Sequence, residues 1–179
     1  MNNGFEKKFK KSLNTGFVDK SVDSEVLYRP KLLVNKKRPK EKVLSSILQE
    51  LRYCKEFYIS VAFVTTSGIA VLLNAFIELE KKGIKGKILV SQYLNFTQPE
   101  ALKKLLLFKN IELKISTKDN SHSKGYIFKT DKYYNLIIGS SNLTATALST
   151  NKEWNLKVSG LHSSEIVENV LSEFDTDFT

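Results

Sequence analysis

The chain has 179 residues, 41% of them hydrophobic, which is enough for one domain with a substantial core and short for two. Its one cysteine, Cys54, excludes an internal disulfide, and the lack of a Cys/His cluster argues against a structural zinc site, so we expect no cofactor. The net charge of +9 fits attraction to a phosphate backbone, although a soluble, lysine-rich protein without such a partner carries it equally well.

The front of the chain holds most of that charge. Residues 1–55 contain 14 Lys and Arg against 6 Asp and Glu, a net +8. We predict that residues 1–35 form a basic N-terminal arm and an edge segment, in which Phe5 and Phe9 are spaced for a short helix that packs weakly. Apolar residues on both sides of Pro30 favour an edge strand or an extended segment there.

Residues 36–179 are predicted to form a single domain, which suits either a small enzyme or one module of a longer protein. The densest cluster of positive charge opens it. Its candidates for contact with a nucleic-acid backbone are Lys36, Lys37, Arg38 and Lys40. A solvated lead-in to a helix explains this cluster at least as well. Pro39 is predicted near the start of that helix, whose apolar stripe runs through about Arg52.

One segment has the length of a membrane span, because residues 57–77 carry no charged side chain. Its polar residues, and a change from alternating to helical spacing of the apolar ones, favour a strand, a turn and a buried helix instead. Thr66 or Ser67 is the predicted cap of that helix, and Gly83 follows its end. Since no charged-then-apolar leader opens the chain, we expect a cytoplasmic protein with no membrane partner.

Further strands and helices follow. Residues 87–91 are a continuous apolar run, typical of a strand that is covered on both faces. A helix through Phe108 comes next, and the alternation in residues 111–116 indicates a strand near an edge. Residues 166–174 carry the apolar stripe of a closing helix. We therefore predict an α/β fold, a mixed β-sheet sandwiched between helices.

The stretch from Ser121 to Asn155 holds the candidate chemistry. If residues 122–128 form a strand, alternation places His122 and Lys124 on one face, with their Cα atoms ~7 Å apart. A neutral imidazole can then attack phosphorus while the ammonium group offsets the charge of the phosphoryl oxygens. Taken alone, each of these residues is more typically structural or solvated, and only the combination favours a catalytic site.

A buried strand is predicted over residues 133–138. Three residues that follow it are the candidates for phosphate binding: Gly139, Ser140 and Ser141. The glycine lets a ligand approach the backbone closely. Residues 143–148 are predicted to form a short helix with Asn142 or Ser141 as its cap, and a helix N-terminus attracts anions. A plain turn with a helix cap would also explain these residue types, although not their distance from His122.

A carboxylate follows in the next extended run, where Glu153 can fix the tautomer of His122 through its second ring nitrogen. We interpret the neighbouring Trp154 as a core residue in preference to the alternative, a platform for a ligand. His162, the other histidine, has no lysine two residues on, and we interpret it as a residue of a helix start or of the surface.

Together these residues resemble the signature of the phospholipase D superfamily: His-x-Lys, four residues, Asp, six residues, Gly-Ser-x-Asn. The matching residues are His122, Lys124, Gly139, Ser140 and Asn142. Lys129 stands at the position of the aspartate, with Asp131 two residues later, so the role of that carboxylate is open here. A glutamate about ten residues after the asparagine is similar to the nuclease-like branch, and Glu153 fits it.

The resemblance implies a metal-independent phosphodiesterase acting on DNA, or on RNA, with His122, Lys124, Asn142 and Glu153 as catalytic residues. One chain carries one such set, whereas in-line displacement needs a nucleophile on one side and an acid on the other. We therefore expect a homodimer in which two copies of His122 meet near a two-fold axis, one forming a phosphohistidine and the other acting as acid and then base.

Domains of this branch occur in restriction enzymes and fused ahead of helicase motors, so a linked or associated helicase is an expected partner. Two alternatives remain. The first is a nucleic-acid-binding or dimerisation module with little or no turnover, which the lysine at position 129 favours. The second is a phospholipid phosphodiesterase or transferase, which requires an apolar access surface that the sequence does not reveal.

Overall fold

A computed structural model describes residues 3–117 and 121–179. The strands are β1 (Lys31–Leu33), β2 (Glu56–Val61), β3 (Lys85–Ser91), β4 (Ile111–Ser116), β5 (Gly125–Lys129), β6 (Tyr133–Gly139) and β7 (Asn155–Leu161). The helices are α1 (Asn3–Phe17), α2 (Val43–Tyr53), α3 (Thr66–Lys81), α4 (Pro99–Leu105), α5 (Ala145–Ser149) and α6 (Glu165–Phe178). Residues 118–120, which belong to the loop predicted before His122, lie outside the described part.

The strands form one sheet in the order β1-β7-β6-β5-β2-β3-β4. The pairs β2–β3 and β3–β4 are parallel and the other pairs are antiparallel, so the predicted mixed sheet is confirmed. We call one end of the sheet the upper end, at Val61, Gly125, Gly139 and Asn155. The opposite, lower end lies at Glu56, Lys129 and Tyr133. The start of β5, the end of β6 and the start of β7 are therefore neighbours at the upper end.

Helices cover both faces of the sheet, as predicted. On one face, Phe57, Tyr126 and Phe128 lie in a core that includes residues of α2, α3, α4 and α5. On the other face, α6 packs Val167 and Phe174 into a smaller core. Each fully buried apolar side chain of this size stabilises the fold by roughly 1.5–3 kcal/mol relative to exposure, and so both layers contribute substantially.

The uncharged segment 57–77 divides as predicted between β2 and α3. The cap is one residue earlier than predicted, since the hydroxyl of Thr65 accepts a hydrogen bond from the amide of Gly68 at 3.2 Å. A Cβ at Gly68 would lie 1.9 Å from the carbonyl oxygen of Leu143, so this glycine permits the close contact of α3 with that segment. In the described residues, no helix combines the length and the apolar character needed to cross a bilayer.

The N-terminal arm packs more firmly than expected. Residues of α1 contact an aromatic cluster at the lower end, where the ring of Phe5 lies 5.6 Å from that of Tyr28 and the ring of Phe9 lies 6.0 Å from that of Tyr133. Phe9 is only 2% exposed. The basic helix is therefore held against the end of the sheet that is remote from His122.

The basic cluster 36–40 forms a turn, and the prediction that Pro39 begins a helix is wrong. Lys36 and Glu41 exchange backbone hydrogen bonds of 2.9 and 3.1 Å, which close the turn, and α2 begins only at Val43. The turn follows the carboxyl end of β1, whose Leu33 is paired with Asn155. It therefore lies beside the upper end of the sheet.

Candidate active site

His122 and Lys124 lie in the segment that leads into β5, and the prediction that the strand begins at His122 is wrong. The neighbouring strands stop here: Ser60 is the last residue of β2 paired with β5, and its partner is Gly125. The residues before Gly125 extend past the upper end of the sheet, although the carbonyl oxygen of Lys124 still accepts a hydrogen bond from the amide of Gly139 at 3.2 Å.

The Lys124 side chain is buried and turned back on its own loop. It is 5% exposed, and its Nζ donates a hydrogen bond to the carbonyl oxygen of His122. Burial lowers the pKa of Lys124, and the negative charge of Glu153 opposes that shift. A partly desolvated ammonium group of this kind interacts more strongly with an anion than one in water does.

Both residues line a cavity of about 470 Å³ at the upper end. Ser60 and Ser123, whose hydroxyl oxygens lie 3.2 Å apart, belong to the same wall. The α6 wall carries two carboxylates, those of Glu173 and Asp177. The cavity thus has a cation on the wall of the sheet and two carboxylates on the wall of the helix.

Ser140 and Glu153 form a pair next to this wall. The hydroxyl of Ser140 donates to a carboxylate oxygen of Glu153 and accepts from the amide of Trp154 at 3.0 Å. Glu153 is thereby fixed where its charge acts on Lys124. The role of Glu153 in setting the tautomer of His122 stays a prediction. Trp154 is 63% exposed, so its interpretation as a core residue is wrong.

Ser141 has a structural role, and its assignment as a phosphate ligand stays a prediction. Its side chain is fully buried, its hydroxyl accepts a hydrogen bond from the Nδ2 of Asn155 at 2.9 Å, and its amide donates to the Oδ1 of Asn155 at 3.2 Å. Sequence reasoning gave Asn155 no role. The available signal was an asparagine at the first residue of a strand, because its amide group both donates and accepts.

Gly139 is required by β7 rather than by a ligand. A Cβ at this position would lie 2.2 Å from the carbonyl oxygen of Trp154 and 2.6 Å from the Cα of Asn155. The missing side chain therefore allows the start of β7 to approach β6. This explains the glycine without the close approach of a phosphate that the sequence suggested, although Gly139 does line the cavity.

Asn142 ties the segment after β6 to the end of β2. Its Oδ1 accepts hydrogen bonds from the amides of Ala62 at 3.0 Å and Phe63 at 3.2 Å. These bonds fix the orientation of the side-chain amide and direct its acceptor inward. The Nδ2 group is the part of this side chain that can donate to a phosphoryl oxygen.

The helix predicted over residues 143–148 is shorter and begins later, at Ala145, and the prediction of Asn142 or Ser141 as its cap is wrong. Thr144 is the cap, and its hydroxyl accepts from the amide of Ala147 at 3.1 Å. Leu143 is held in a bridge with Val64 and cannot join the helix. The helix terminus, where an anion site was predicted, therefore lies at Thr144 rather than at Ser141 or Asn142.

Lys129, at the position of the family's aspartate, lies at the lower end. It is five residues from Lys124 along an extended segment, a separation of ~17 Å. Its Nζ lies 3.1 Å from the Oε1 of Glu56. The other carboxylate oxygen of Glu56, Oε2, accepts a hydrogen bond from the hydroxyl of Tyr58 at 2.7 Å. The hydrogen bond to Glu56 raises the pKa of Lys129. The substitution thus belongs to an ion pair outside the cavity.

The remaining candidates lie at the surface. Lys37, Arg38 and Lys40 are exposed on the turn, while Lys36 lies 3.3 Å from Glu41. His162 is exposed, as interpreted, and lies 3.0 Å from the carbonyl oxygen of Thr130 at the lower end. Within residues 3–117 and 121–179, no group of three or more His, Cys, Asp or Glu side chains is arranged to hold a metal ion.

Comparisons with known proteins agree on one fold. The family model described as "Cardiolipin synthase, PLD-like domain" matches residues 47–178. NucT from Helicobacter pylori superposes with a TM-score of 0.62 at 21% identity, covering 84% of this chain and 95% of that one. The phospholipase D family member Nuc from Salmonella typhimurium has the same TM-score and coverage at 16% identity.

A larger protein shares the same core. Phosphatidylserine synthase from Haemophilus influenzae has a TM-score of 0.57 at 15% identity, and the match covers 81% of this chain but 37% of that one. A sequence search of curated proteins finds no match. At these identities the solved structures establish the fold of the chain and not its substrate.

Proposed function

The chain belongs to the phospholipase D superfamily, and from that premise we propose that it is a metal-independent phosphodiesterase, a nuclease that cleaves DNA through a covalent histidine intermediate. The observation that carries this proposal is the placement of Lys124. Its ammonium group is buried, bonded to the carbonyl group of His122 and influenced by Glu153, on the wall of an open cavity. A surface lysine without function would be solvated instead.

The proposed reaction consists of two displacements at phosphorus. The ring of His122 attacks, an N–P bond forms, and the P–O bond to the leaving oxygen breaks while His122 of the second subunit gives that oxygen a proton. Water then attacks the phosphohistidine and passes a proton to the second imidazole, which releases the first. Lys124 and the Nδ2 of Asn142 stabilise the charge on the remaining phosphoryl oxygens.

We propose that a second copy of the chain binds at an exposed apolar patch. Leu32, Leu156 and Ile138 are cross-strand neighbours on one face of β1, β7 and β6, and they are 49, 43 and 41% exposed. This apolar corner adjoins the cavity, because Ile138 and His122 line it together. A dimer through the apolar corner would bury it and bring the two histidines towards each other, which supports a composite site.

Two further features favour DNA and turnover over the alternatives. The exposed cations of the turn at residues 36–40 lie beside the upper end of the sheet, where they can contact a phosphate backbone. Lys129, which favoured a module without turnover, is paired with Glu56 at the lower end and does not line the cavity. A phospholipid substrate is the second candidate, because it requires an apolar access surface and the apolar corner is exposed.

Cleavage of plasmid and oligonucleotide DNA in excess chelator tests the activity. We expect cleavage by the wild-type chain and a loss on the order of 10³-fold or more in His122→Ala, the size expected when a nucleophile is removed. His162→Ala is the matched control and should retain full activity. Wild-type protein that binds DNA without cleaving it would overturn the proposal in favour of a binding module. Cleavage of phosphatidylglycerol vesicles without cleavage of DNA would favour a phospholipid substrate.

The dimer is tested separately by sedimentation. Leu156→Asp should yield monomers and lose cleavage while its thermal unfolding stays close to that of the wild type, because the side chain is already exposed. Wild-type protein that sediments as a monomer at every concentration and still cuts DNA would contradict the composite site.

A further inference from the structure

Two phenylalanine rings stand next to the candidate site. The rings of Phe63 and Phe96 are 5.6 Å apart in an edge-to-face arrangement, and Phe96 is 55% exposed. The backbone amide of Phe63 donates to the Oδ1 of Asn142 at 3.2 Å. The aromatic pair is thus attached directly to a residue that the proposed reaction uses.

The loop that presents Phe96 has a costly conformation. Leu94 and Asn95 both adopt left-handed backbone angles, with φ of 47° and 56°. This conformation is unfavourable for a leucine, and the surrounding structure must compensate for it. The end of the loop is fixed by Gln98, whose Oε1 accepts hydrogen bonds from the amide and the hydroxyl of Thr66 at 2.8 and 3.0 Å. An exposed ring is therefore held in place by anchored backbone.

A third aromatic side chain lies on the other flank of the site. Trp154 is 63% exposed and follows Glu153 at the start of β7. The sheet order separates β2 from β7 by three strand spacings, or ~14 Å, with β5 and β6 between them. The basic turn adjoins this flank, since Asn35 donates to the carbonyl oxygen of Asn151 at 2.7 Å.

We propose that Phe96, supported by Phe63, and Trp154 are stacking platforms for unpaired nucleobases on the two sides of the scissile phosphate. The preferred substrate is then a single strand of nucleic acid. This inference rests on the proposed phosphodiesterase function and specifies its substrate. Aromatic side chains stack on bases without regard to sequence, and they reach a base face only where a neighbouring base does not cover it.

Binding and cleavage of two strands of equal length and charge test the proposal, one bearing thymines and the other abasic throughout. Binding is measured in the His122→Ala background, and cleavage with His122 intact. Phe96→Ala should weaken binding of the thymine strand about 5- to 150-fold, which corresponds to the ~1–3 kcal/mol of stacking per base, and leave the abasic strand unchanged. Trp154→Ala should act in the same direction. Phe96→Trp should retain binding.

Tyr53→Ala is the matched control, because Tyr53 is an aromatic residue 66% exposed near the lower end, three residues before Glu56. It should leave both strands unaffected. Equal binding of the two strands by the parent protein would overturn the inference, as would a loss in Phe96→Ala that is the same for both strands. Dissociation of the dimer by Phe96→Ala would instead assign the ring to the contact between copies.

The outcome separates this inference from the function on which it rests. Cleavage of the thymine and abasic strands at equal rates retains the phosphodiesterase and removes the platforms. Preference for the thymine strand in binding, with no cleavage of either strand by protein that carries His122, retains the platforms and removes the reaction.

Discussion

The two ends of the sheet use the same kinds of side chain differently. At the lower end Lys129 pairs with Glu56 at 3.1 Å, and Lys55 lies 3.7 Å from Asp131. At the upper end the ammonium group of Lys124 is buried, hydrogen-bonded to a carbonyl group, and has its pKa lowered by its surroundings. These two lysines of the lower end pair with carboxylates of the protein, whereas Lys124 is bonded to an uncharged carbonyl group.

Aromatic residues show the same contrast. The rings that α1 brings to the lower end pack on one another, and Phe9 is 2% exposed. At the upper end Phe96 and Trp154 are more than half exposed, and the loop before Phe96 contains two left-handed residues. The packed rings contribute to stability at the lower end, and the proposal assigns the exposed rings of the upper end to binding.

The sharpest test compares the two lysines at opposite ends of β5. Lys124→Ala should lower the rate of DNA cleavage by roughly 10²- to 10³-fold, because a preorganised charge at the phosphoryl oxygens is removed. Lys129→Ala should change the rate less than about twofold and reduce the free energy of unfolding by at most ~1 kcal/mol. Single-turnover kinetics and urea titration measure the two effects. Equal losses of cleavage would remove the distinction between the ends.

A smaller effect is expected for the neighbouring carboxylate. Glu153→Gln should slow cleavage by roughly 10- to 100-fold at neutral pH. The charge of Glu153 raises the pKa of Lys124 against the effect of burial, so its removal lets that pKa fall further. The alkaline limb of kcat/KM should therefore move to lower pH. Ser140→Ala, which keeps the carboxylate but removes its hydrogen bond, should move the limb less than Glu153→Gln does, and an unmoved limb in Glu153→Gln would contradict the coupling.

The two basic regions differ in their distance from the cavity, and matched triple variants separate them. Replacing Lys37, Arg38 and Lys40 by glutamine should weaken DNA binding by roughly tenfold and reduce the slope of log affinity against log salt by about 2 to 3. The control variant removes the same charge from α1, at Lys7, Lys10 and Lys11. It should leave the slope near the wild-type value. A larger effect from α1 would place the nucleic acid at the lower end.

The smallest expected effect concerns the residue that departs from the family pattern. Lys129→Asp should leave cleavage within about twofold and reduce the free energy of unfolding at neutral pH by ~1 kcal/mol, because the new carboxylate faces Glu56. The pKa of Glu56 is lowered by its hydrogen bond from Tyr58, with help from Lys129, so this stabilisation exists at neutral pH and is lost as pH falls through the folded pKa.

The pH dependence of this stabilisation gives a check on the Lys129→Asp variant. The free energy of unfolding of this variant should fall furthest below that of the wild type near neutral pH. The difference should shrink in acid, where both carboxyl groups are protonated. Urea titrations at several pH values measure the difference. A gain of cleavage in this variant would show that the missing aspartate matters to the site after all.

Local pattern was sufficient for much of the fold. Alternating and helical spacing of apolar residues predicted β2, α3 and α6, because burial of a face dictates these periods. The start of α5 was predicted wrongly because it depends on backbone that is distant in the sequence. Leu143 pairs with Val64, which lies 79 positions earlier, and this bridge delays α5 until Ala145.

The candidate site shows the same limit. The residues around His122 and Asn142 were found from spacing, but their functions depend on contacts that no local window contains. The Oδ1 of Asn142 is held by Ala62 and Phe63, and Ser141 is held by Asn155. The exposure of Trp154 was unpredictable for a related reason, since a tryptophan in an extended run is more commonly buried.

The contact at Gly68 has a consequence for catalysis. Its α carbon faces the carbonyl oxygen of Leu143, the residue after Asn142, at a separation that admits no methyl group. Adding that methyl group would push Leu143 away from α3 and carry the amide of Asn142 with it. Under the proposed function, a position on α3 therefore sets the alignment of the Asn142 amide, and the rate of DNA cleavage should respond to the packing of this helix as well as to the residues of the cavity.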